Sequence, residues 1–231
     1  FAKLGLAVFP CQENGKRPAN KHGFKEATTD IEEIERIWTK PYNIGISCGS
    51  ASGGLLVIDC DVSDTKNGIE YFNEWQFENE LLPETCTVQT GTNGLHQLYF
   101  VDKPIKPSVN ADVGVDIRCE GSYIVAPPSI HPDTGNEYKW INSPVDCDIA
   151  KANKAVYDFI NNVQNNKSGN KFKNIKPDDV KQGERNNYLF KRASSMQELG
   201  ENDDTIVERI HGINAQLKKP LPKSEVDSLL A

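Results

Sequence analysis

The sequence predicts an α+β fold in two parts, a mixed portion of short strands and helices followed by a small helical tail. Three observations carry this. Short apolar runs bounded by glycine and proline recur as far as Trp140 and read as strands. The clearest is Leu55-Leu56-Val57-Ile58-Asp59-Cys60-Asp61-Val62, whose apolar residues lack helical spacing. From Pro177 onward the spacing turns helical, with proline only at the breaks.

In chain order, Leu4–Phe9 reads as a first strand ending at Pro10, and Gly15-Lys16-Arg17-Pro18 as a polar loop. Thr28-Thr29-Asp30 caps a short helix carrying Ile31, Ile34 and Ile37. Asn43–Ser47 reads as a strand, and the Gly/Ser turn from Gly49 to Gly54 leads into the aspartate strand. Residues 67–82 read as an amphipathic helix with Ile69, Phe72 and Phe77 among acids. Thr85–Gln89 and Leu95–Val101 read as strands joined by Thr90-Gly91-Thr92-Asn93-Gly94. Val113–Arg118 and Tyr123–Ala126 read as a further strand pair before Pro127-Pro128, and Tyr138–Trp140 as a last strand. Residues 151–164 suggest a helix, 165–176 a polar linker, and 178–199, 203–217 and 222–231 three more helices. The domains expected are therefore 1–164, a linker at 165–176, and a helical domain at 177–231.

Composition narrows the class. The 231 residues, 37% hydrophobic and 26% charged, suit one well-packed domain plus a small appendage. No apolar run reaches the roughly 18 residues of a membrane span, so no membrane partner is expected. None of the six cysteines forms a C-x-x-C pair, so the expectation is reduced, buried thiols in a cytoplasmic protein. The net charge of −7 argues against coating nucleic acid by charge alone and leaves room for a local basic groove. Residues 166–192 carry eight Lys/Arg against three acids. The chain begins at Phe1 and its last helix stops at Ala231, so a cut at both ends of a longer protein is expected.

The chemistry is expected at the acids. Side chains alternate along a strand, so Asp59 and Asp61 share a face while Cys60 turns to the core. Two carboxylates about 6–7 Å apart along a strand repel unless a cation lies between them, and a divalent metal is the usual solution. Asp116 stands alone among Val113, Val115 and Ile117. It either pairs with Arg118, two residues on and on the same face, or joins the other two acids in a two-metal site. His96 follows the glycine-rich turn, where backbone amides and an imidazole can meet a phosphate. Lys16 and Arg17 are either phosphate contacts or a solvated loop, and His131 is expected to be structural.

Several short stretches fall in a familiar order: Gly5–Pro10 with Gly15-Lys16-Arg17-Pro18, Asn43-Ile44-Gly45-Ile46 before Cys48-Gly49, Asp59-Cys60-Asp61, Gly94-Leu95-His96, Asp116, and Gly121–Ser129. Together they resemble the archaeo-eukaryotic primase superfamily, in its bifunctional primase–polymerase branch of plasmids, phages and integrated elements. The segments Gln182–Phe190 and Asn214–Val226 resemble the small helical domain that follows such modules. The resemblance implies a mixed α/β catalytic unit with an RNA-recognition-motif-like sheet, then a small all-helical domain. It implies template-directed nucleotidyl transfer, with Mg²⁺ or Mn²⁺ held by Asp59, Asp61 and Asp116. It places His96 and Gly94 at the triphosphate of a dNTP or NTP, with Arg118 and Lys16 beside them. Single-stranded DNA is the implied template, with Arg185, Lys191 and Arg192 as its candidate contacts, and a helicase domain is expected further along the full-length chain. Where the family usually has serine this chain has Gly94, so Thr90, Thr92, Asn93 or backbone amides would supply the missing contact. Two other classes remain in view: a replication-initiator module that binds nucleic acid without synthesis, and a two-metal nuclease.

Overall fold

The computed structural model describes residues 1–63, 65–165, 180–198 and 201–230. The chain divides into two compact units, Phe1–Phe72 with Leu82–Gly169, and Asn73–Leu81 with Asn170–Ala231. The expected linker lies, apart from Asn165, outside the described residues. No helix among the described residues is long and apolar enough to cross a membrane.

The first unit begins with β1 (Val8–Cys11), α1 (Ile31–Ile37), β2 (Asn43–Ser47), β3 (Leu55–Cys60), the short hairpin β4 (Val62–Ser63) and β5 (Lys66–Asn67), and the start of α2 (Gly68–Glu78). It continues with β6 (Thr87–Gln89), β7 (Leu95–Phe100), β8 (Ser108–Asn110), β9 (Val115–Arg118), β10 (Tyr123–Ala126), β11 (Lys139–Asn142), β12 (Ala150–Lys151) and α3 (Lys154–Asn165). A seven-stranded sheet runs β11-β6-β7-β3-β9-β8, with β12 pairing parallel to β7, and a three-stranded sheet runs β1-β2-β10. Asp30 caps α1 as expected, its carboxylate accepting from the Glu32 and Glu33 amides.

β3 lies between β7 and β9. Leu55 and Val57 join a core cluster with Leu98 and Val88 of their own sheet and Val8, Ile46 and Ile124 of the three-stranded sheet. α3, which buries Phe159, Ile160 and Val163, packs against β8 and β9. Leu56 and Ile58, which face away from Leu55 and Val57, are also fully buried. Burial on both faces explains why β3 reads as a continuous apolar run instead of an alternating one. Asp59 continues the Leu55–Val57 face, so it stands at the end of the core between the two sheets.

Three expectations need correction. Pro10 does not end the first strand: it pairs with Ile44 inside β1. β1 is an edge strand, where a missing N–H is tolerated. Val115–Arg118 and Tyr123–Ala126 do not pair with each other, because β9 takes β3 and β8 as neighbours while β10 joins β2. Gly121, at φ 76°, lets the intervening turn carry the chain from one sheet to the other. The helix expected from residue 178 begins at Arg185, and residues 180–184 form a turn closed by Glu184 N–H on the Lys181 carbonyl.

Gly45, in the middle of the three-stranded sheet, is there for space. A Cβ at Gly45 would lie 2.3 Å from the Phe9 ring, which is itself fully buried. Gly45→Ala is therefore expected to lower stability by about 1–3 kcal/mol through overpacking, measured by chemical denaturation. An unchanged midpoint would show that the Phe9 ring has room to move.

The second unit is helical: α4 (Arg185–Glu198), α5 (Asp203–Ala215) and α6 (Lys223–Leu230), with residues 73–81 from the end of α2 and beyond. Its core gathers Phe77, Tyr188, Leu189, Ile210, Leu221 and Val226. Asn202 caps α5 by accepting from the Thr205 amide. Buried Asn214 bonds both the N–H and the carbonyl of Leu221, at 2.8 and 3.0 Å, which fixes the proline-flanked connection before α6.

Candidate active site

The register of three strands builds the site. Asp59 on β3 lies directly opposite His96 on β7 and Asp116 on β9. Cross-strand partners project to the same face, so the three side chains stand in one row. Asp61 is two residues beyond Asp59, just past the strand end, and two backbone bonds hold it: its N–H to the Gly114 carbonyl at 2.8 Å and its carbonyl to the Gly68 N–H at 2.7 Å. Asp116 is further supported by the Asn110 amide, 3.1 Å from its Oδ1.

Charge compensation is internal. Arg118 Nε donates to Asp59 Oδ2 at 3.2 Å, and its Nη2 donates to Asp116 Oδ2 at 2.6 Å. Lys66 Nζ lies 3.4 Å from Asp61 Oδ2. His96 Nε2 lies 3.4 Å from Asp59 Oδ1, while its buried Nδ1 has no hydrogen-bond partner among the described residues. Burial pushes the Asp59 carboxyl up, but His96 and Arg118 outweigh it and hold the group below its ordinary value. At Asp116 burial wins: Arg118 opposes it, the nearby Asp59 charge adds to it, and the carboxyl lies above its ordinary value. The pairing of Asp116 with Arg118 thus exists, and the same guanidinium reaches Asp59.

This row opens on a cleft of about 470 Å³ lined from both sheets. Asp59, Asp61, His96 and Arg118 form one wall; Lys16, Thr90, Thr92, Tyr123 and Tyr138 contribute others. The structure therefore brings together Asp59, Asp61, His96, Arg118 and Lys16 around one space, with Asp116 bonded into the row through Arg118. Tyr138, Phe24 and Tyr123 were not singled out from the sequence. Phe24 and Tyr123 stack at 5.8 Å, and the Tyr138 ring lies 6.0 Å from His96. Tyr123 opens β10, a strand legible in the sequence, but which rings meet at the cleft depends on how the two sheets pack, which no local pattern announces.

Gly94 is placed by close packing. A Cβ there would lie 2.4 Å from the Cys60 carbonyl oxygen. The Gly94 N–H donates to Thr90 Oγ1 at 2.9 Å, and the Thr90 and Thr92 hydroxyls are 3.1 Å apart on the cleft wall. A Cβ at Gly94 would also lie 3.0 Å from Thr90 Oγ1, so that hydroxyl already stands where a serine side chain would reach. Gly94→Ser is therefore expected to impair this protein, costing about 1–3 kcal/mol as β7 shifts against β3 beside Asp59. Thermal denaturation checks this, and a stabilised variant would contradict it.

The fit to a divalent ion can be judged from the donors. Among the described residues no set of three or more His, Cys, Asp or Glu forms a ready-made metal cage. Arg118 and Lys66 instead occupy carboxylate oxygens. The donor chemistry still suits Mg²⁺ or Mn²⁺: hard oxygens on adjacent strands beside an open cleft, with two cations on side chains long enough to move aside.

Arg185, Lys191 and Arg192 are all engaged inside the second unit. Arg185 bonds the carbonyls of Gln182 and Lys219. Lys191 donates to the Phe77 carbonyl at 3.1 Å and lies over its ring. Arg192 stacks on Phe77 and Tyr188 and lies 3.9 Å from Glu74.

No curated protein matches the chain. The family model for primase C terminal 1 matches residues 174–231. The model for the bifunctional DNA primase/polymerase N-terminal domain matches residues 1–155, which contain every acid of the cleft. The chain therefore belongs to the bifunctional DNA primase/polymerase family, with a primase C-terminal segment after the N-terminal domain.

Proposed function

We propose that the first unit adds nucleotides to a DNA strand by template-directed transfer, with Mg²⁺ or Mn²⁺ held by Asp59, Asp61 and Asp116. The observation that carries this is the row His96–Asp59–Asp116 across β7, β3 and β9, with Arg118 bonded to both acids. When bound, the ions would lower the pKa of the attacking hydroxyl and neutralise charge on the transferring phosphate. The chain's own residues orient the substrate. His96, Arg118 and Lys16 are the cationic or hydrogen-bonding groups on the cleft that suit a triphosphate. Thr90 and Thr92 offer hydroxyls on the same wall. Arg118 has two uses in this reading: it neutralises Asp59 and Asp116, and, were those acids to hold a metal ion, its guanidinium would be available to a phosphate. Arg185, Lys191 and Arg192 are proposed template contacts in the second unit; a template phosphate would compete with their present carbonyl and aromatic partners. The setting we infer is replication of a plasmid, phage or integrated element, and the motif order alone supports it.

The test is incubation with a primed and an unprimed single-stranded DNA template, dNTPs or NTPs, and Mg²⁺ or Mn²⁺. Template-dependent products that vanish in Asp59→Ala and Asp61→Ala support the reading. A fully active Asp59→Ala/Asp61→Ala variant sinks it. DNA binding that survives chelation, with no incorporation, would favour an initiator module instead.

A further inference from the structure

We propose that Asn43 is a positioning residue that holds the Lys16 loop in register with the glycine turn before His96. The proposal rests on the reading of the cleft as a triphosphate site. Asn43 opens β2 and is 5% exposed. A buried asparagine in a strand is costly unless its amide is satisfied. Here Nδ2 donates to the Gly15 carbonyl at 2.9 Å and to the Ile130 carbonyl at 2.6 Å, and Oδ1 accepts from the Ile130 N–H at 3.0 Å. The side chain is thus bonded to two loops that lie far apart in sequence.

Each loop leads to the cleft. Gly15 precedes Lys16, whose own carbonyl accepts from the Tyr123 hydroxyl at 3.2 Å. The backbone is therefore pinned on both sides of a lysine whose exposed side chain lines the cleft. Ile130 begins the second loop, whose other end grips the glycine turn. Thr134 Oγ1 and Asn136 Nδ2 both donate to the Gly91 carbonyl, at 2.9 and 3.0 Å. A Cβ at Gly91 would lie 2.3 Å from His131 Cβ, so the two segments are in direct contact. One amide thus ties the lysine loop to the turn that carries Thr90 and Thr92 and leads into His96. Phosphate contacts depend on such placement, because a loose exposed lysine pays side-chain and loop entropy on binding.

Calorimetric titration with Mn²⁺ and dATP or ATP, whichever the wild type binds more tightly, tests this on wild type, Lys16→Ala, Asn43→Ala and the double variant. Each single variant is expected to weaken binding about tenfold, the worth of one charge-assisted hydrogen bond. The double variant is expected to be no more than about twofold weaker than either single one, because both remove the same contact. A merely structural asparagine would lower the thermal midpoint and leave the dissociation constant alone, or its effect would multiply with that of Lys16→Ala; either result overturns the proposal. If Asn43→Ala fails to fold, Asn43→Ser leaves one hydroxyl to meet the buried backbone groups where the amide made three bonds, and Tyr123→Phe removes the other anchor of the lysine loop. Both should show the same non-additivity with Lys16→Ala, and additive effects would overturn the proposal. A wild type that binds no nucleotide overturns the triphosphate reading and this proposal together. Tight wild-type binding that Asn43→Ala leaves unchanged overturns this proposal alone.

Discussion

Asp59→Asn is expected to leave the fold standing and to reduce nucleotide incorporation by about 10³-fold, the effect of losing several kcal/mol of charge stabilisation at the reacting phosphate. The amide has the shape of the carboxylate, and its oxygen can still accept from Arg118 Nε, now 3.2 Å from Asp59 Oδ2. What it loses is charge, which a hard divalent ion requires and an arginine partner can partly do without. Primer extension resolved on a gel, beside a thermal melt, separates the two effects. A variant that melts near wild type yet keeps more than about a tenth of its activity would remove Asp59 from the centre of the chemistry.

Arg118→Met is expected to have the largest effect on stability, and to make that stability depend on metal. Asp59 and Asp116 are buried and directly opposite across β3 and β9, and Arg118 is the guanidinium bonded to both. Removing one member of a buried ionic group costs about 3–5 kcal/mol. The lower end applies here, because the Arg118 side chain is 30% exposed and water can screen part of the loss. That corresponds to a fall in thermal midpoint of about 6–12 °C. If Mn²⁺ occupies the same oxygens, it should return much of the loss: a ligand at about 100 times its dissociation constant adds about 2.7 kcal/mol. The shift produced by Mn²⁺ should be larger in Arg118→Met than in wild type, where the ion must first displace the guanidinium. Equal shifts in the two proteins would show that metal and Arg118 do not share a site.

Much of the fold could be read from local signals. Asp30 announced α1 because capping is local chemistry, and Leu55–Cys60 announced a buried strand because both its faces are covered. The acid pair was visible for the same reason: alternation along a strand is a property of the backbone. What depended on distant partners was not visible. β8 is only Ser108–Asn110, too short and polar to signal a strand, yet the Asn110 amide supports Asp116. The separation of β9 and β10 into different sheets turns on the path between them, which hydrophobicity does not encode. Phe77 fitted the apolar stripe of α2, but the structure packs it with Tyr188 in the helical unit. Lys66 carries no signal in the sequence, and only the β4–β5 hairpin brings it to Asp61. Asn43 is legible as the start of a strand and as part of a motif, but not as an anchor, because its three hydrogen bonds reach residues 28 and 87 positions away.

The most direct test is to locate the ion. Crystals grown with Mn²⁺ and a non-hydrolysable nucleoside triphosphate, measured at the manganese edge, should show anomalous density against the carboxylates of Asp59 and Asp116, with Asp61 beside it and the Arg118 guanidinium moved off Asp59. Manganese bound elsewhere on the chain, or a cleft holding nucleotide while Arg118 keeps both carboxylates, would contradict the account.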